Sequence, residues 1–155
     1  MAWLNLGFAY RRMAVYRASD PRSINNRRIQ LALSSFDRSL ELERHNAKAW
    51  IGRGLVFLQQ KADFDQAAQC FRNALDIDPT APLVWLFYST ALESAGHTDA
   101  ALAAVDSAVE YYQRLDKEAA SKLPEEFRSV LDEYQALRVS RVKHHEPGGA
   151  RHAES

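Results

Sequence analysis

Apolar side chains recur along this chain at intervals of three and four residues, which places them on one face of a helix. Alternation of apolar and polar residues, the pattern of a half-buried strand, never persists, and strong helix formers dominate the composition. The pattern predicts seven helices, which span residues 2–18, 24–44, 47–60, 64–77, 82–95, 98–116 and 125–142. Proline or glycine punctuates the chain between several of them. We therefore expect an all-α protein.

Side-chain size repeats along the chain at the interval of a helical hairpin. Ala67 lies 35 residues after Ala32, and Ala101 lies 34 residues after Ala67. Four residues after each alanine comes a bulkier apolar side chain; these are Phe36, Phe71 and Val105. Three tryptophans are each followed four residues later by a small residue, which gives the pairs Trp3 and Gly7, Trp50 and Gly54, and Trp85 and Ser89.

The positions of small and large residues predict how the helices pack. Small side chains let two antiparallel helices approach closely, whereas tryptophan and phenylalanine fill the wider gaps between successive hairpins. We therefore expect Gly7 to pack against Ala32, and Gly54 against Ala67, where the two helices of a hairpin cross. One hairpin cannot bury both of its faces, so the repeating units must stack.

Two stretches match a known repeat signature. The first runs from Trp3 to Tyr10 and reads W-L-N-L-G-F-A-Y, which fits W-x2-L-G-x2-Y. The second, residues 67–71, reads A-A-Q-C-F and leads to Pro79, which fits A-x3-F followed by proline. Over residues 2–116 the chain thus resembles the tetratricopeptide repeat (TPR) family, which implies an α-solenoid of about three helical hairpins. Arg53 departs from the family pattern, because it stands where an apolar residue is expected.

The last predicted helix has one apolar face. Five residues on this face follow helical spacing: Phe127, Val130, Leu131, Tyr134 and Leu137. Two placements fit such a helix, namely a C-terminal capping helix on the third hairpin, which the repeat favours, or a plug folded into the groove of the stack. Residues 2–143 are thus expected to form one TPR-like helical repeat domain. Residues 144–155 have no apolar period, and we expect this tail to be disordered.

In proteins of the TPR family, the first helices of successive hairpins line a concave groove that receives a peptide or a helix. By register, the groove residues of this chain are Leu4, Phe8, Arg11, Lys48, Ile51, Leu55, Leu58, Leu83, Leu86, Thr90 and Glu93. This lining is mostly aliphatic, which suits an amphipathic helix or an apolar extended segment of a partner protein. Burial of the same side chains by the last helix or by a second copy of the chain is the alternative.

One class of TPR ligand is not expected. Family members that hold the acidic C-terminal tail of heat-shock chaperones use lysine, arginine and asparagine in the groove, with an asparagine directly after the small residue. Phe8, Leu55 and Thr90 stand at those three positions here. The resemblance therefore predicts no binding of such tails.

Charge is balanced over the whole chain, with 20 basic and 20 acidic side chains, so bulk charge predicts no polyanionic partner. It is uneven locally, because six arginines lie between residues 11 and 28, against Asp20 alone. Four of them form either a contact patch for phosphate or an acidic protein surface, or a solvated turn: Arg17, Arg22, Arg27 and Arg28. The chain has no glycine-rich phosphate cradle and no aromatic platform for bases, which disfavours nucleic acid.

Residue types used in catalysis and metal binding are sparse. Cys70 is the only cysteine, no histidine lies near it in the repeat register, and no Cys/His cluster has zinc spacing. We interpret Cys70 as a small core residue. His144, His145, Glu146 and His152 lie in the tail, where loose metal binding would be incidental. We expect no catalytic residue, no metal site and no cofactor, and therefore no enzyme.

The start of the chain is apolar but short. No run approaches the 18 or more apolar residues of a membrane-spanning helix, and Arg11 and Arg12 interrupt the first apolar stretch. A single cysteine suits a reducing compartment. The sequence thus predicts a cytoplasmic protein without membrane insertion.

Three functional hypotheses follow. The leading one is an adaptor or scaffold that binds a protein or peptide partner in the concave groove. The second is homo-oligomerisation, for instance as a homodimer, through the groove or through the uncapped first hairpin. The third is a chaperone-like role for a secreted or membrane-bound client, because the chain is similar in length and repeat number to the small TPR chaperones of bacterial type III secretion.

Overall fold

The computed structural model of the chain describes residues 1–17 and 19–143, with side chains described as far as residue 136. These residues form eight α-helices and one π-helical turn, and none of them lies in a β-strand. The α-helices are α1 (Ala2–Tyr16), α2 (Arg22–Leu42), α3 (Ala47–Val56), α4 (Phe64–Ile77), α5 (Pro82–Ser94), α6 (Thr98–Gln113), α7 (Lys117–Ser121) and α8 (Glu125–Lys143). The expectation of an all-α helical repeat is confirmed. The tail predicted to be disordered, 144–155, lies outside the described residues.

Each predicted helix is present, and the ends of α4 agree with the prediction. The short helix α7 is not among the predicted ones, because a single turn shows no apolar period. It begins where the carboxylate of Asp116 accepts a hydrogen bond from the backbone N–H of Ala119 at 2.7 Å. Asn46 and Asp63 cap α3 and α4 in the same way, so these two helices begin where the sequence predicts.

The helices form three hairpins, α1–α2, α3–α4 and α5–α6, which stack in chain order. The joints between hairpins are formed by α3 packing on α2 and by α5 packing on α4. Buried apolar clusters run through each joint and continue to the contact between α6 and α8. The structure is therefore a short solenoid with its core along the joints.

Tryptophan closes each joint between hairpins. The indole N–H of Trp85 donates to the carbonyl oxygen of Pro79 at 2.7 Å, and that of Trp50 donates to the carbonyl oxygen of Arg44 at 3.4 Å. Both carbonyls lie just beyond the second helix of the preceding hairpin. Each ring packs against the buried clusters while its N–H satisfies a turn carbonyl, which explains why tryptophan suits this position.

Phe36 is the centre of the first joint. Its side chain is fully buried, and one edge of the ring lies against the backbones of both Gly7 in α1 and Gly52 in α3. A Cβ atom would lie 2.6 Å from Phe36 Cε1 if built on Gly7 and 2.5 Å from it if built on Gly52. Phe8 packs edge-on against the same ring, with the centroids 5.1 Å apart. The close approach of the three helices therefore depends on the two missing side chains.

The glycines have phenylalanines as their nearest neighbours, not the alanines that we expected. The side-chain atoms closest to Gly7 belong to Phe36, and those closest to Gly54 belong to Phe71. Each phenylalanine lies one helical turn after the corresponding alanine. The small residue thus makes room for a large ring, and the helix crossing is built on a size match between glycine and phenylalanine.

The change of the repeat spacing from 35 to 34 residues has a structural cause. The second hairpin has one residue more between Trp50 and Ala67 than the third has between Trp85 and Ala101. The π-helical turn Phe57–Lys61 at the end of α3 absorbs this residue, because a π-helix holds more residues per turn than an α-helix. Ala62 follows with a φ of 52°, in the left-handed region, and ends the helix.

Helix α8 lies in the capping position. Leu131 is fully buried and packs in one cluster with Leu86 of α5 and Val109 of α6. In the first hairpin Leu4, the equivalent of Leu86, packs in one cluster with Val56 of the next hairpin. Helix α8 thus takes the place that the first helix of a fourth hairpin would have. The sequence left two placements open, a capping helix and a plug in the groove, and the structure shows the capping helix.

Gly52→Ala is expected to lower the free energy of unfolding by about 1–3 kcal/mol, because the new Cβ must displace a buried ring. At an uncrowded helical position the same change would stabilise by about 1 kcal/mol, so the sign of the effect reports the crowding. Urea unfolding of the variant measures it. Made in a Phe36→Leu background, Gly52→Ala should cost less than it does in the parent, because the ring atoms nearest the new Cβ are gone. A single variant more stable than the parent would contradict the close approach.

Candidate protein-binding surface

The structure divides the groove residues by their exposure. Three are buried within the stack: Leu4, Leu55 and Leu86. Five are half-buried: Phe8, Arg11, Ile51, Leu58 and Leu83. The remaining three are exposed: Lys48, Thr90 and Glu93. The side chains that a partner can reach are therefore the half-buried and the exposed ones.

Burial of the three leucines follows from the stacking of the hairpins. Leu55 belongs to the central cluster together with Phe71 and Leu92. Leu86 packs with Leu131 of α8. These leucines hold the hairpins together, so self-burial, the alternative raised for the groove, applies to them.

An apolar row remains accessible on the first helices. Ile51 and Leu58 pack against the central cluster and Phe8 packs against the first one, but each keeps part of its side chain at the surface. Leu83 is likewise half-buried on α5. The exposed Thr90 is engaged locally, because its hydroxyl donates to a backbone carbonyl one turn earlier in the helix, at 2.9 Å. The row is therefore apolar along three successive hairpins.

Arg11 lies where α1 meets the π-helical turn. Its Nη1 donates to Gln59 Oε1 at 2.9 Å, and Gln60 Nε2 donates to the backbone carbonyl of Arg11 at 3.3 Å. Burial lowers the pKa of Arg11, and the neighbouring charge of Arg12 lowers it further. Arginine remains protonated at neutral pH, so a positive charge is held in a partly desolvated place. The two glutamines are contributed by the turn that the sequence pattern did not predict.

Arg53, the departure from the family pattern, makes polar contacts across the first joint. Its Nε donates to Asp37 Oδ1 at 2.8 Å, and its Nη1 donates to Cys70 Sγ at 3.4 Å. The guanidinium also lies over the rings of Trp50 and Phe57, with its carbon 5.9 Å and 5.2 Å from their centroids. Pairing with Asp37 compensates the charge at a position where an apolar residue was expected. These partners come from α2, α3, α4 and the π-helical turn, so spacing along the chain does not identify them.

Cys70 is fully buried, and burial raises the pKa of its thiol, against the opposing influence of Arg53. A thiol held in its protonated form is a poor nucleophile, which supports the interpretation of Cys70 as a core residue. Among residues 1–17 and 19–143, no group of three or more His, Cys, Asp and Glu side chains is arranged to hold a metal ion. His144, His145, Glu146 and His152 lie outside the described residues.

The candidate basic patch is partly neutralised by the protein itself. Arg28 forms an ion pair with Asp20 at 2.7 Å and also donates to Asn25 Oδ1 at 3.1 Å. Asn25 in turn donates to two backbone carbonyls of the turn before α2. The other three arginines of the patch are exposed: Arg17, Arg22 and Arg27. One of the four charges thus helps to shape the turn between α1 and α2.

None of the helices in the described part of the chain is both long enough and apolar enough to cross a bilayer.

Comparisons with known proteins agree with this architecture. Two family models, both described as tetratricopeptide repeat, match residues 24–82 and 58–125. A comparison with curated proteins gave no match. Two similar solved structures bear the titles "Crystal structure of MamA" and "Crystal structure of MamA protein". The first has 23% sequence identity and a TM-score of 0.54, and the match covers 59% of this chain and 54% of that one. The second has 24% identity and a TM-score of 0.53, with coverages of 66% and 55%.

At this identity the likeness to the solved structures shows the fold alone, and the chain spans about half of their length. TPR units are in general non-catalytic repeats that mediate protein–protein interaction. The repeat read in the sequence, the hairpins of the structure and the two matching family models coincide over residues 24–125. The chain therefore belongs to the tetratricopeptide repeat family.

Proposed function

We propose that this chain is a non-catalytic adaptor of the cytoplasm that binds an amphipathic helix of a partner protein across the concave face of α1, α3 and α5. The observation that carries the proposal is the row Phe8, Ile51, Leu58 and Leu83, four apolar side chains that stay half-buried after the stack has formed. Membership of the TPR family supports a protein partner.

The spacing of the row suits a helix. Ile51 and Leu58 are seven residues apart, so they lie about 10 Å apart along the helix axis. A partner helix with apolar side chains at positions i, i+3 or i+4, and i+7 covers the same length. Enclosing apolar surface contributes about 25 cal/mol per Å², and Lys48, Thr90 and Glu93 supply a polar rim. The contact thus has the apolar centre and polar edge of a protein interface.

Arg11 adds a charge preference at one end of the row. Its guanidinium is partly desolvated, and the contact with the amide of Gln59 does not neutralise its charge. A carboxylate of the partner beside Arg11 would form a charge-assisted hydrogen bond, which is stronger than the bond to a neutral amide. The favoured partner helix therefore carries an acidic residue at one end of its apolar stripe.

The proposal distinguishes this groove from one that holds acidic chaperone tails. Such a groove needs several cationic and amide side chains, whereas Phe8 and Thr90 stand at two of the expected asparagine positions and are engaged with Phe36 and with the helix backbone. The third position, Leu55, is buried. That such tails do not bind remains a prediction.

Binding of a designed peptide tests the groove. The probe is a fluorescently labelled helical peptide with leucines at i, i+3 and i+7 and a glutamate at one end of the stripe, compared with a version in which lysine replaces that glutamate. Leu83→Asp is expected to weaken binding at least about tenfold, because a charge then lies against the leucines. Arg11→Glu should weaken binding of the glutamate peptide and strengthen binding of the lysine peptide.

The control is Leu102→Asp, the same change at an exposed position on α6, outside the row, which should leave the affinity unchanged. Circular dichroism of each variant shows that it is folded. Equal affinity of the parent and of folded Leu83→Asp, measured by fluorescence anisotropy, would exclude the groove as the binding surface.

A further inference from the structure

The outer face of α1 is apolar and open to solvent. Trp3, Met13 and Tyr16 are 43%, 50% and 78% exposed, although α1 packs closely against α2 and also touches α3 on its other sides. Near the end of the helix an open cup of about 300 Å³ is lined by Ala9, Arg12, Met13, Tyr16 and Arg17. The guanidinium of Arg12 lies over the Tyr16 ring at 5.9 Å. The cup is therefore an apolar depression whose lining includes two arginines.

This face has the composition of a helix face that receives another helix. In α3 the equivalent face is covered by α2, and its small residues Ala49 and Val56 are fully buried. The equivalent residues in α1 are Ala2 and Ala9, and both are exposed. Trp3 is likewise the equivalent of the tryptophans that bond to the preceding hairpin. The outer face of α1 thus resembles one half of a joint between hairpins.

The other end of the stack offers a complementary surface. On the outer side of α8, Val130 is 50% exposed and lies between the exposed side chains of Glu126 and Glu133 in one stripe, at positions i, i+4 and i+7. An apolar side chain flanked by two carboxylates on α8 thus complements an apolar cup on α1 whose lining includes two arginines. Glu126 and Glu133 are seven residues apart, about 10 Å along the axis of α8, and Arg12 precedes Arg17, the C-cap of α1, by five residues. The long side chains of these residues can adjust to the difference in spacing.

The net charges of the two ends of the stack are also opposite in sign. Residues 1–44 contain eight arginines and four acidic side chains, whereas residues 98–136 contain four basic and nine acidic side chains. The first hairpin is therefore net basic, and the third hairpin with its cap is net acidic. Opposite charge at the two ends steers two copies toward a head-to-tail approach, and like charge opposes contact between two α1 faces.

We propose that copies of this chain associate head to tail, with Val130 of one copy seated in the α1 cup of the next and with Glu126 and Glu133 paired with Arg12 and Arg17. This inference goes beyond the proposed adaptor function, because it does not use the concave groove. The two surfaces differ, so the contact is heterologous. Repetition of such a contact gives open chains or closed rings, not a two-fold dimer.

Charge reversal at both surfaces tests the proposal on the full chain. Analytical ultracentrifugation at low ionic strength should show a weight-average mass of the parent that rises with concentration. The variant Arg12→Glu/Arg17→Glu and the variant Glu126→Arg/Glu133→Arg should each stay monomeric at the same concentrations. An equimolar mixture of the two variants should associate again, because each reversed surface then faces its complement.

A matched control carries the same charge change away from the cup. Arg22→Glu/Arg27→Glu reverses two exposed arginines in the first two turns of α2. It changes the net charge as much as Arg12→Glu/Arg17→Glu does but leaves the cup intact, so it should weaken association much less than that variant. A parent that stays monomeric at every concentration would overturn the proposal. So would a mixture of the two variants that fails to associate while both are folded by circular dichroism, and so would equal loss of association in the control. None of these outcomes depends on peptide binding in the groove.

Discussion

Phe36→Ala is expected to lower the free energy of unfolding by about 3–5 kcal/mol, the usual range for deleting a fully buried phenylalanine ring. The ring is the contact shared by the first two hairpins, because it packs against the backbones of Gly7 and Gly52 and against Phe8. The two glycines have no side chains to move into the space, so the cavity cannot collapse without a movement of whole helices. The loss should therefore lie near the upper end of the range.

Urea denaturation followed by circular dichroism measures the effect, and Leu42→Ala is the matched control. Leu42 lies on the same helix and is 68% exposed, so its truncation should change the free energy of unfolding by less than about 0.5 kcal/mol. A loss below about 1 kcal/mol for Phe36→Ala would mean that the first joint is not built on this ring.

Leu131→Ala is the second large effect, with an expected loss of about 2–5 kcal/mol. Leu131 is fully buried between α8 and the third hairpin, whereas its neighbour Val130 is 50% exposed. Val130→Ala, the control, should therefore leave the stability within about 0.5 kcal/mol of the parent. Comparing the two variants thus distinguishes the inner face of the cap, which carries Leu131, from its outer face, which carries Val130.

Native-state hydrogen exchange identifies where stability is lost. In Leu131→Ala the amides of α8 should exchange faster, while those of α4 should keep the greater part of their protection, because opening of a terminal element in a stacked repeat does not require opening of the centre. Unchanged protection of α8 in this variant would contradict the cap assignment.

Elements and repeat architecture could be predicted from the sequence because both depend on local periodicity. The apolar spacing of three and four residues and the recurrence of Trp3, Trp50 and Trp85 are visible without coordinates. The helix caps at Asn46 and Asp63 are local as well, so the starts of α3 and α4 agree with the prediction. One turn of helix, α7, and a π-helical turn were missed, since neither is long enough to leave a period.

The candidate groove shows where such prediction ends. Register identifies which residues lie on the first helices, and it places Leu55 and Ile51 on the same groove face. In the structure Leu55 is buried, whereas Ile51 is only half-buried. Burial depends on the size of side chains that other helices contribute, such as the ring of Phe71 from α4 and Leu92 from α5. The binding role of the groove stays a prediction.

By itself the sequence determined the fold class, the repeat and the family, because helix period and side-chain size act over a few residues. Only the tertiary structure decided that Gly7 and Gly52 share the ring of Phe36, that Arg53 pairs with Asp37, and that α8 covers the third hairpin. The sequence already indicated that the first hairpin is uncapped, and the structure added which side chains of α1 stay exposed. The physical reason is that the contacts and the exposure of a side chain depend on residues far apart in the chain, so they cannot be read from spacing within one segment.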